Sequence, residues 1–238
     1  VATMAFLDAK GERLKTTYIG RMPEPGKATA VAMLKAELVD VLRERPDLNV
    51  VFASDGAASH WAALEGIKAS LPKGFTGHTM ELVDAFHVAE YVQKAAAAVE
   101  GTETREARLL SANWRETLKE DAGASTVLRS MRARVGEASG KTAAEDLAAA
   151  ITYIANQNDA GRMEYAEAMR RHYPIGTGIT EAAAKTLVGV RMKRAGARFS
   201  QHGGQTVLTF RAALLSDRFE ALHDHLHADY AAAVRLAA

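Results

Sequence analysis

Two acidic side chains of this sequence stand where a divalent cation is often held. Asp55 and Asp84 closely follow short apolar runs, Asn49–Ala53 and Thr79–Val83, that are typical of buried strands. In open α/β sheets, ligands collect outside the carboxyl ends of strands. Mg²⁺ prefers a few carboxylates, completed by water and substrate phosphate. Carboxylates at neighbouring strand ends would therefore be placed to share a cation.

A third acid, Glu181, lies at a predicted helix start and precedes a wholly positive stretch. No Asp or Glu occurs from Ala182 to Ser216. The basic residues of that stretch are Lys185, Arg191, Lys193, Arg194, Arg198 and Arg211. One carboxylate followed by an all-positive run suggests a metal ligand beside a phosphate-binding surface. Phosphate contacts of this kind are salt-dependent and largely independent of base sequence.

Each of these residues also has an ordinary structural interpretation. Asp55 and Asp84 could be turn or N-cap residues, and Asp-Gly is a common turn pair. Glu181 could stabilise the first turn of its helix or pair with Lys185 four residues later. His87, three residues after Asp84, could orient a carboxylate, contact a phosphate or be incidental. The basic run could be a solvated helix face.

The first third of the chain predicts the elements that would position the strand-end acids. The predicted order is strand, strand, helix, strand, helix, strand, with the acids after the last two strands. The predicted bounds are Ala2–Leu7, Arg13–Met22, 27–45, Asn49–Ala53, 58–69 and Thr79–Val83. Turn signals separate the first two strands, so they form a hairpin, and helices connect the later ones. This pattern predicts an α/β fold with mixed strand directions.

Beyond Asp84 the sequence is helical almost throughout. The predicted helices are 87–99, 103–120, 125–137, 142–171, 180–195 and 205–225, with a break suspected within 156–161. These patterns predict that the chain divides into three consecutive regions. Region 1–100 contains the strands, region 101–173 is wholly helical, and region 174–238 contains Glu181 and the basic run.

Composition restricts the function classes. The 238 residues carry a net charge of +1, so nucleic-acid binding would depend on local segregation of charge. Because the chain has no cysteine, thiolate metal sites and cysteine nucleophiles are excluded, and the absence fits a cytoplasmic protein. No apolar run reaches the length of a membrane span. Since the chain starts directly in a strand-like run, we interpret it as part of something longer.

Several segments, in this order, resemble one family. They are FLDAKGERLKTTYIGRMPE (6–24), SDGAASHW (54–61), DAFHVAEYV (84–92), PIGTGITEAAAKTLVGVRMKRAGARF (174–199) and GGQTVLTFRA (203–212). Together they resemble bacterial insertion-sequence transposases of the ISKra type, which are DDE transposases related to mutator-like elements. The resemblance covers nearly the whole chain. Phe199 stands where the family usually has Trp, and Thr177 where Ser is common.

The resemblance implies an RNase H-like fold and metal-dependent cleavage and transfer of DNA strands. By it, Asp55 and Glu181 are the second and third acids of the metal site, which holds Mg²⁺ or Mn²⁺. Asp84 and His87 match an auxiliary D-x-x-H element. Residues from about 103 to 173 would be a helical insertion. In the family the first acid lies on the first core strand, and by the resemblance this chain begins at the second strand.

The nucleic-acid contacts that we predict are made by Lys185, Arg191, Lys193, Arg194 and Arg198. The partner is DNA, as transposon ends and target; no membrane association is expected, and a homo-oligomer is compatible with the sequence. Two alternatives stay open. One is a non-catalytic DNA-binding remnant of a transposase. The other is a helical interaction module in which the acids are caps and the basic face is solvated.

Overall fold

The computed structural model describes residues 1–237, with the side chains of 235–237 left out. The fold is α/β and mostly helical. Its contacts form two compact units, each of which is assembled from separate segments of the chain. The first unit comprises Val1–Pro46, Ile67–Phe75 and the chain from Gly178 onward, and the second comprises Asp47–Gly66 and Thr76–Thr177. This division differs from the three consecutive regions predicted from the sequence, 1–100, 101–173 and 174–238.

The first unit begins with an antiparallel hairpin. Strand β1 (Ala2–Leu7) pairs with β2 (Arg13–Ile19), and Ala2 lies opposite Ile19. Asp8 Oδ1 accepts hydrogen bonds from the backbone N–H groups of Lys10 (2.8 Å) and Glu12 (2.9 Å), which fixes the turn. The predicted hairpin is confirmed, but β2 ends at Ile19, three residues earlier than expected.

Helices complete the first unit. They are α1 (Ala28–Glu44), α8 (Gly178–Ala184), α9 (Val190–Met192), α10 (Gln201–Leu215) and α11 (Phe219–Ala237). A π-helical turn, Lys185–Gly189, joins α8 to α9. The buried hydrophobic cluster of the first unit consists of Ala183, Leu187 and Leu208. Tyr18 and Met192 pack against this cluster. In α1, Leu38 and Leu42 are buried, as the apolar spacing of that helix predicts.

The second unit contains a parallel strand pair. Strand β3 (Val50–Ser54) pairs with β4 (Thr79–Val83), with Val50 beside Thr79 and Ser54 beside Val83. Helix α2 (Ala58–Lys68) follows β3, and its last two residues belong to the first unit. The strand bounds agree with the prediction to within one residue. The four strands form two two-stranded sheets rather than one mixed sheet, although both strand directions are present.

Five helices fill the rest of the second unit. They are α3 (Ala85–Glu100), α4 (Arg105–Thr117), α5 (Gly123–Ala133), α6 (Lys141–Asp159) and α7 (Tyr165–Arg170). Val88 and Val92 on α3, Met131 on α5 and Ile154 on α6 are completely buried. Gly123 permits a close approach, because a Cβ there would lie 2.1 Å from the carbonyl oxygen of Thr117.

Most helix predictions are confirmed with shifted ends. The expected helix over 142–171 is broken between Asp159 and Tyr165, where the sequence suggested an interruption. The one expected over 205–225 starts earlier and is broken between Leu215 and Phe219. Among residues 1–237, no helix combines the length and the apolar character needed to cross a bilayer.

Candidate active site

Asp55 immediately follows β3 and begins a tight turn. The next residue, Gly56, has φ of +93°, a left-handed conformation that glycine adopts without strain. A Cβ on Gly56 would lie 2.3 Å from the Tyr153 hydroxyl oxygen, so no larger residue fits without movement. The turn therefore brings the backbone of the Asp55 segment close to helix α6.

One oxygen of the Asp55 carboxylate is held and the other is open. Oδ1 lies 2.8 Å from Nδ1 of His60, 3.1 Å from the backbone nitrogen of Ala57 and 3.2 Å from Oγ of Ser54. No group among residues 1–237 donates a hydrogen bond to Oδ2, and the side chain is 48% exposed. An open, solvent-facing carboxylate oxygen is what direct coordination of a hard cation requires.

The electrostatic environment favours the ionised form of Asp55. Burial opposes ionisation, but the hydrogen bonds from Ala57 and His60 outweigh it and lower the pKa of the carboxyl. Because an ionised carboxylate only accepts hydrogen bonds, Nδ1 of His60 carries the shared proton. Asp55 thus carries a negative charge, and its hydrogen-bond partners fix the orientation of the carboxylate.

Tyr153, on α6, supports the Asp55 turn from the helical region. Its hydroxyl donates to the backbone carbonyl oxygen of Asp55 at 2.9 Å. Its ring stacks on Tyr91 of α3, with centroids 3.9 Å apart and planes at 8°. Burial is the main cause that raises the pKa of Tyr153, so its hydroxyl remains a donor at neutral pH. An aromatic pair of this kind fixes the hydroxyl in place.

Asp84 is the N-cap of α3 and is only 2% exposed. Its Oδ1 accepts from the backbone N–H groups of Phe86 (2.7 Å) and His87 (3.3 Å). Its Oδ2 accepts from the backbone N–H (2.8 Å) and the hydroxyl of Thr177. Both oxygens are thus occupied by protein donors. Asp84 caps helix α3, which is one of the interpretations that the sequence allowed, and it also anchors Thr177.

His87 stands in the first turn of α3, half-exposed. Its ring contacts Tyr91 and Tyr153 edge-on, at centroid distances of 5.6 Å and 5.8 Å. Nδ1 lies 3.8 Å from a carboxylate oxygen of Glu90. His87 therefore extends the aromatic group beside the Asp55 turn, and an imidazole edge stays accessible from solvent.

Glu181 lies in the first turn of α8 and is exposed. The preceding residue, Thr180, is fixed to strand β1 by a 2.7 Å hydrogen bond between its hydroxyl and that of Thr3. No side chain among residues 1–237 forms an ion pair with Glu181, and Lys185 does not close the expected i,i+4 pair. The Glu181 carboxylate is therefore free to accept an external ligand.

The π-helical turn after Glu181 is stabilised by Arg211 of α10. The Arg211 guanidinium donates to the carbonyl oxygens of Thr186 (2.5 Å) and Leu187 (3.2 Å). A π-helical turn disturbs the regular backbone hydrogen bonds of a helix, and π-turns occur often at functional sites. Within the basic run, Arg211 therefore has a structural role, because it stabilises the π-helical turn.

The other basic residues of the run point outward. Lys185, Arg191, Lys193, Arg194 and Arg198 are all exposed. Arg194 Nε donates to the carbonyl oxygen of Val190 at 2.8 Å. Within residues 1–237, none of the five forms an ion pair with an acidic side chain. Their charge is thus not neutralised locally, in contrast to Arg218, which is paired with Glu37.

The structure brings together Asp55, Asp84 and His87, since all lie in the second unit around the ends of β3 and β4. Glu181 and the basic run belong to the first unit, so a cation shared by Asp55 and Glu181 stays a prediction. Across residues 1–237, no three His, Asp or Glu side chains are grouped closely enough to hold a metal ion.

Sequence reasoning missed two residues of the site. His60 lies within the segment 54–61, and its position in the first turn of α2 after Asp55 was the available signal. Tyr153 is 98 positions from Asp55, and no local pattern indicates that contact.

Comparison with known proteins adds no assignment: no family model, curated protein or solved structure matches this chain.

Proposed function

We propose that this chain is part of the catalytic domain of a DDE transposase of the ISKra type, with an RNase H-like fold. The observation that carries the proposal is Asp55: an ionised carboxylate at the end of a parallel strand, with one oxygen held and one open. Two strand pairs, one antiparallel and one parallel, fit four strands of such a fold without its first strand.

The residues present fit a hard divalent cation in part. Asp55 Oδ2 and the unpaired carboxylate of Glu181 would be the protein ligands of Mg²⁺ or Mn²⁺, and water would complete the coordination. Bound cations of this type activate the attacking oxygen and stabilise the leaving oxygen in phosphoryl transfer. Asp84 is fully hydrogen-bonded, so its part would be to hold the segment that precedes Glu181. DNA as substrate would place the protein in the bacterial cytoplasm.

Metal binding tests the proposal directly. Mn²⁺ titration of the full chain, followed by electron paramagnetic resonance, should give specific binding that is strongly weakened by Asp55→Asn and by Glu181→Gln. Asp8→Asn is the matched control, because Asp8 is also a turn carboxylate but is exposed in the β1–β2 hairpin. Equal Mn²⁺ affinity in the wild type, Asp55→Asn and Glu181→Gln would contradict the proposal.

A second candidate is a non-catalytic DNA-binding remnant. The exposed, locally unpaired basic side chains favour it, because DNA binding through them needs no metal. The helical interaction module remains a further alternative. DNA binding without specific Mn²⁺ binding would support the remnant, whereas neither kind of binding would support the interaction module.

A further inference from the structure

Two histidines of helix α11 stand one helical turn apart on the same exposed side. His223 and His227 both lie well inside the helix, four positions apart, so they are within about 40° of each other around its axis. Their ring centroids are 6.4 Å apart, and the ring planes are inclined by 23°. The helix therefore places two imidazole rings side by side at the surface.

The polar surroundings leave both rings available for a ligand. Nδ1 of His223 lies 3.6 Å from Oδ1 of Asp224, so Nε2 is the nitrogen of that ring that faces away from the carboxylate. The ring of His227 contacts that of His223, and no side chain among residues 1–234 forms a hydrogen bond or an ion pair with it. A carboxylate beside the second ring nitrogen commonly accompanies a metal-bound histidine.

This spacing suits a borderline-soft divalent cation rather than a hard one. Imidazole nitrogens bind Zn²⁺, Cu²⁺ and Ni²⁺, whereas Mg²⁺ prefers oxygen ligands. Nitrogens that share a tetrahedral Zn²⁺ at about 2.0–2.1 Å lie about 3–3.5 Å apart. Both rings are exposed, and rotation about the histidine χ2 angle is soft, so small rotations bring the nitrogens to that separation. Histidines at positions i and i+4 hold zinc in this way on metalloprotease helices.

We infer that His223 and His227 form a binding site for a borderline-soft divalent metal ion such as Zn²⁺, with water in the remaining coordination positions. The bound ion links residues one turn apart, so binding stabilises helix α11. Two protein ligands are involved, which agrees with the finding that no group of three exists among residues 1–237. The site uses nitrogen ligands and does not depend on the proposed function.

A third histidine of the same helix provides the matched control. His225 is exposed like the other two, but it lies about 160–200° from them around the axis, on the opposite side of α11. Its Nε2 is 3.6 Å from Oδ2 of Asp229. A surface that binds metal only because it is rich in histidine would use all three rings, whereas the inferred site uses two.

The test is isothermal titration calorimetry with Zn²⁺, on the full chain without a polyhistidine tag. Excess Mg²⁺ is present throughout, so that carboxylate sites are occupied by the hard cation. His223→Gln and His227→Gln should each lower the Zn²⁺ affinity by about tenfold or more, because the second imidazole acts as an intramolecular ligand. His225→Gln should leave the affinity unchanged.

A second variant tests the spacing itself. Combining His227→Ala with Ala228→His keeps the number of histidines but places the second one five positions from His223, about 140° away around the axis. Its Zn²⁺ affinity should fall as far as that of His227→Gln. Zn²⁺ should also slow hydrogen exchange at the backbone amides of 223–227 in the wild type and not in this variant.

Three outcomes would overturn the inference. One is equal Zn²⁺ affinity in the wild type, His223→Gln and His227→Gln. Another is an equal loss of affinity in His225→Gln, and the third is full affinity in the variant with the moved histidine; either would mean that histidine content alone matters. Circular dichroism of each variant without metal checks that the helix is retained.

Discussion

Replacing Asp84 by alanine should loosen the link between α3 and the segment that ends at Thr177. The substitution removes four hydrogen bonds to a carboxylate that is almost fully buried. Loss of an N-cap costs about 1 kcal/mol. The Thr177 N–H and hydroxyl share one carboxylate oxygen, and losing a charge-assisted bond at that oxygen adds about 1.5–3 kcal/mol. We therefore expect the free energy of unfolding to fall by about 2.5–4 kcal/mol.

Urea unfolding followed by circular dichroism measures this loss, and hydrogen exchange locates it. Exchange should accelerate at the amides of Phe86, His87 and Thr177, which lose their acceptor. The matched control is Asp8→Ala, which also removes a carboxylate that accepts two backbone hydrogen bonds, but at an exposed turn. If Asp84→Ala costs no more than Asp8→Ala, or if Thr177 exchange is unchanged, Asp84 does not anchor that segment.

Three further predictions concern contacts in the two units. Tyr153→Phe keeps the ring stack but removes the hydrogen bond to the Asp55 carbonyl, so urea unfolding should show a loss of about 1 kcal/mol; an unchanged midpoint would mean that the hydroxyl does not support the turn. The hydrogen bond from Arg218 is the main cause that lowers the pKa of Glu37. Because the folded pKa is below the ordinary value of about 4.5, the pair stabilises the fold above that pH and the stabilisation disappears as pH falls further. The stability difference between the wild type and Glu37→Gln should thus be about 1 kcal/mol at pH 7 and shrink in acid, and a pH-independent difference would refute it. Arg162 lies over the tryptophan ring of α2 at 4.0 Å and forms ion pairs with two glutamates. Arg162→Met should therefore lower the free energy of unfolding by about 2 kcal/mol or more, measured by thermal or urea unfolding. An unchanged free energy of unfolding would show that the attraction within the ion pairs only offsets the cost of removing their charges from water.

Local patterns predicted the elements that carry the acids, because apolar runs and turn residues act over a few positions. The runs before Asp55 and Asp84 became β3 and β4, and the capping alternative for Asp84 came from the same reasoning. Contacts across the sequence were not predictable in this way. The Tyr153 hydroxyl reaches Asp55, and Thr177 reaches Asp84, over 98 and 93 positions, and only packing of the helices creates them.

The π-helical turn shows where periodicity stops being informative. Apolar residues at 183, 187, 190 and 192 are compatible with two registers, and regular spacing favours the one with Val190 inside. Packing selects the other. Gly204 on α10 leaves space for Met22 and Met192, since a Cβ there would lie 2.7 Å from Met22 Sδ and 3.1 Å from Met192 Cε. Arg211, one helix away, supplies the hydrogen bonds to the carbonyls of the π-turn. The register that packs Met192 on the core and leaves Val190 exposed is thus supported by residues of a different helix.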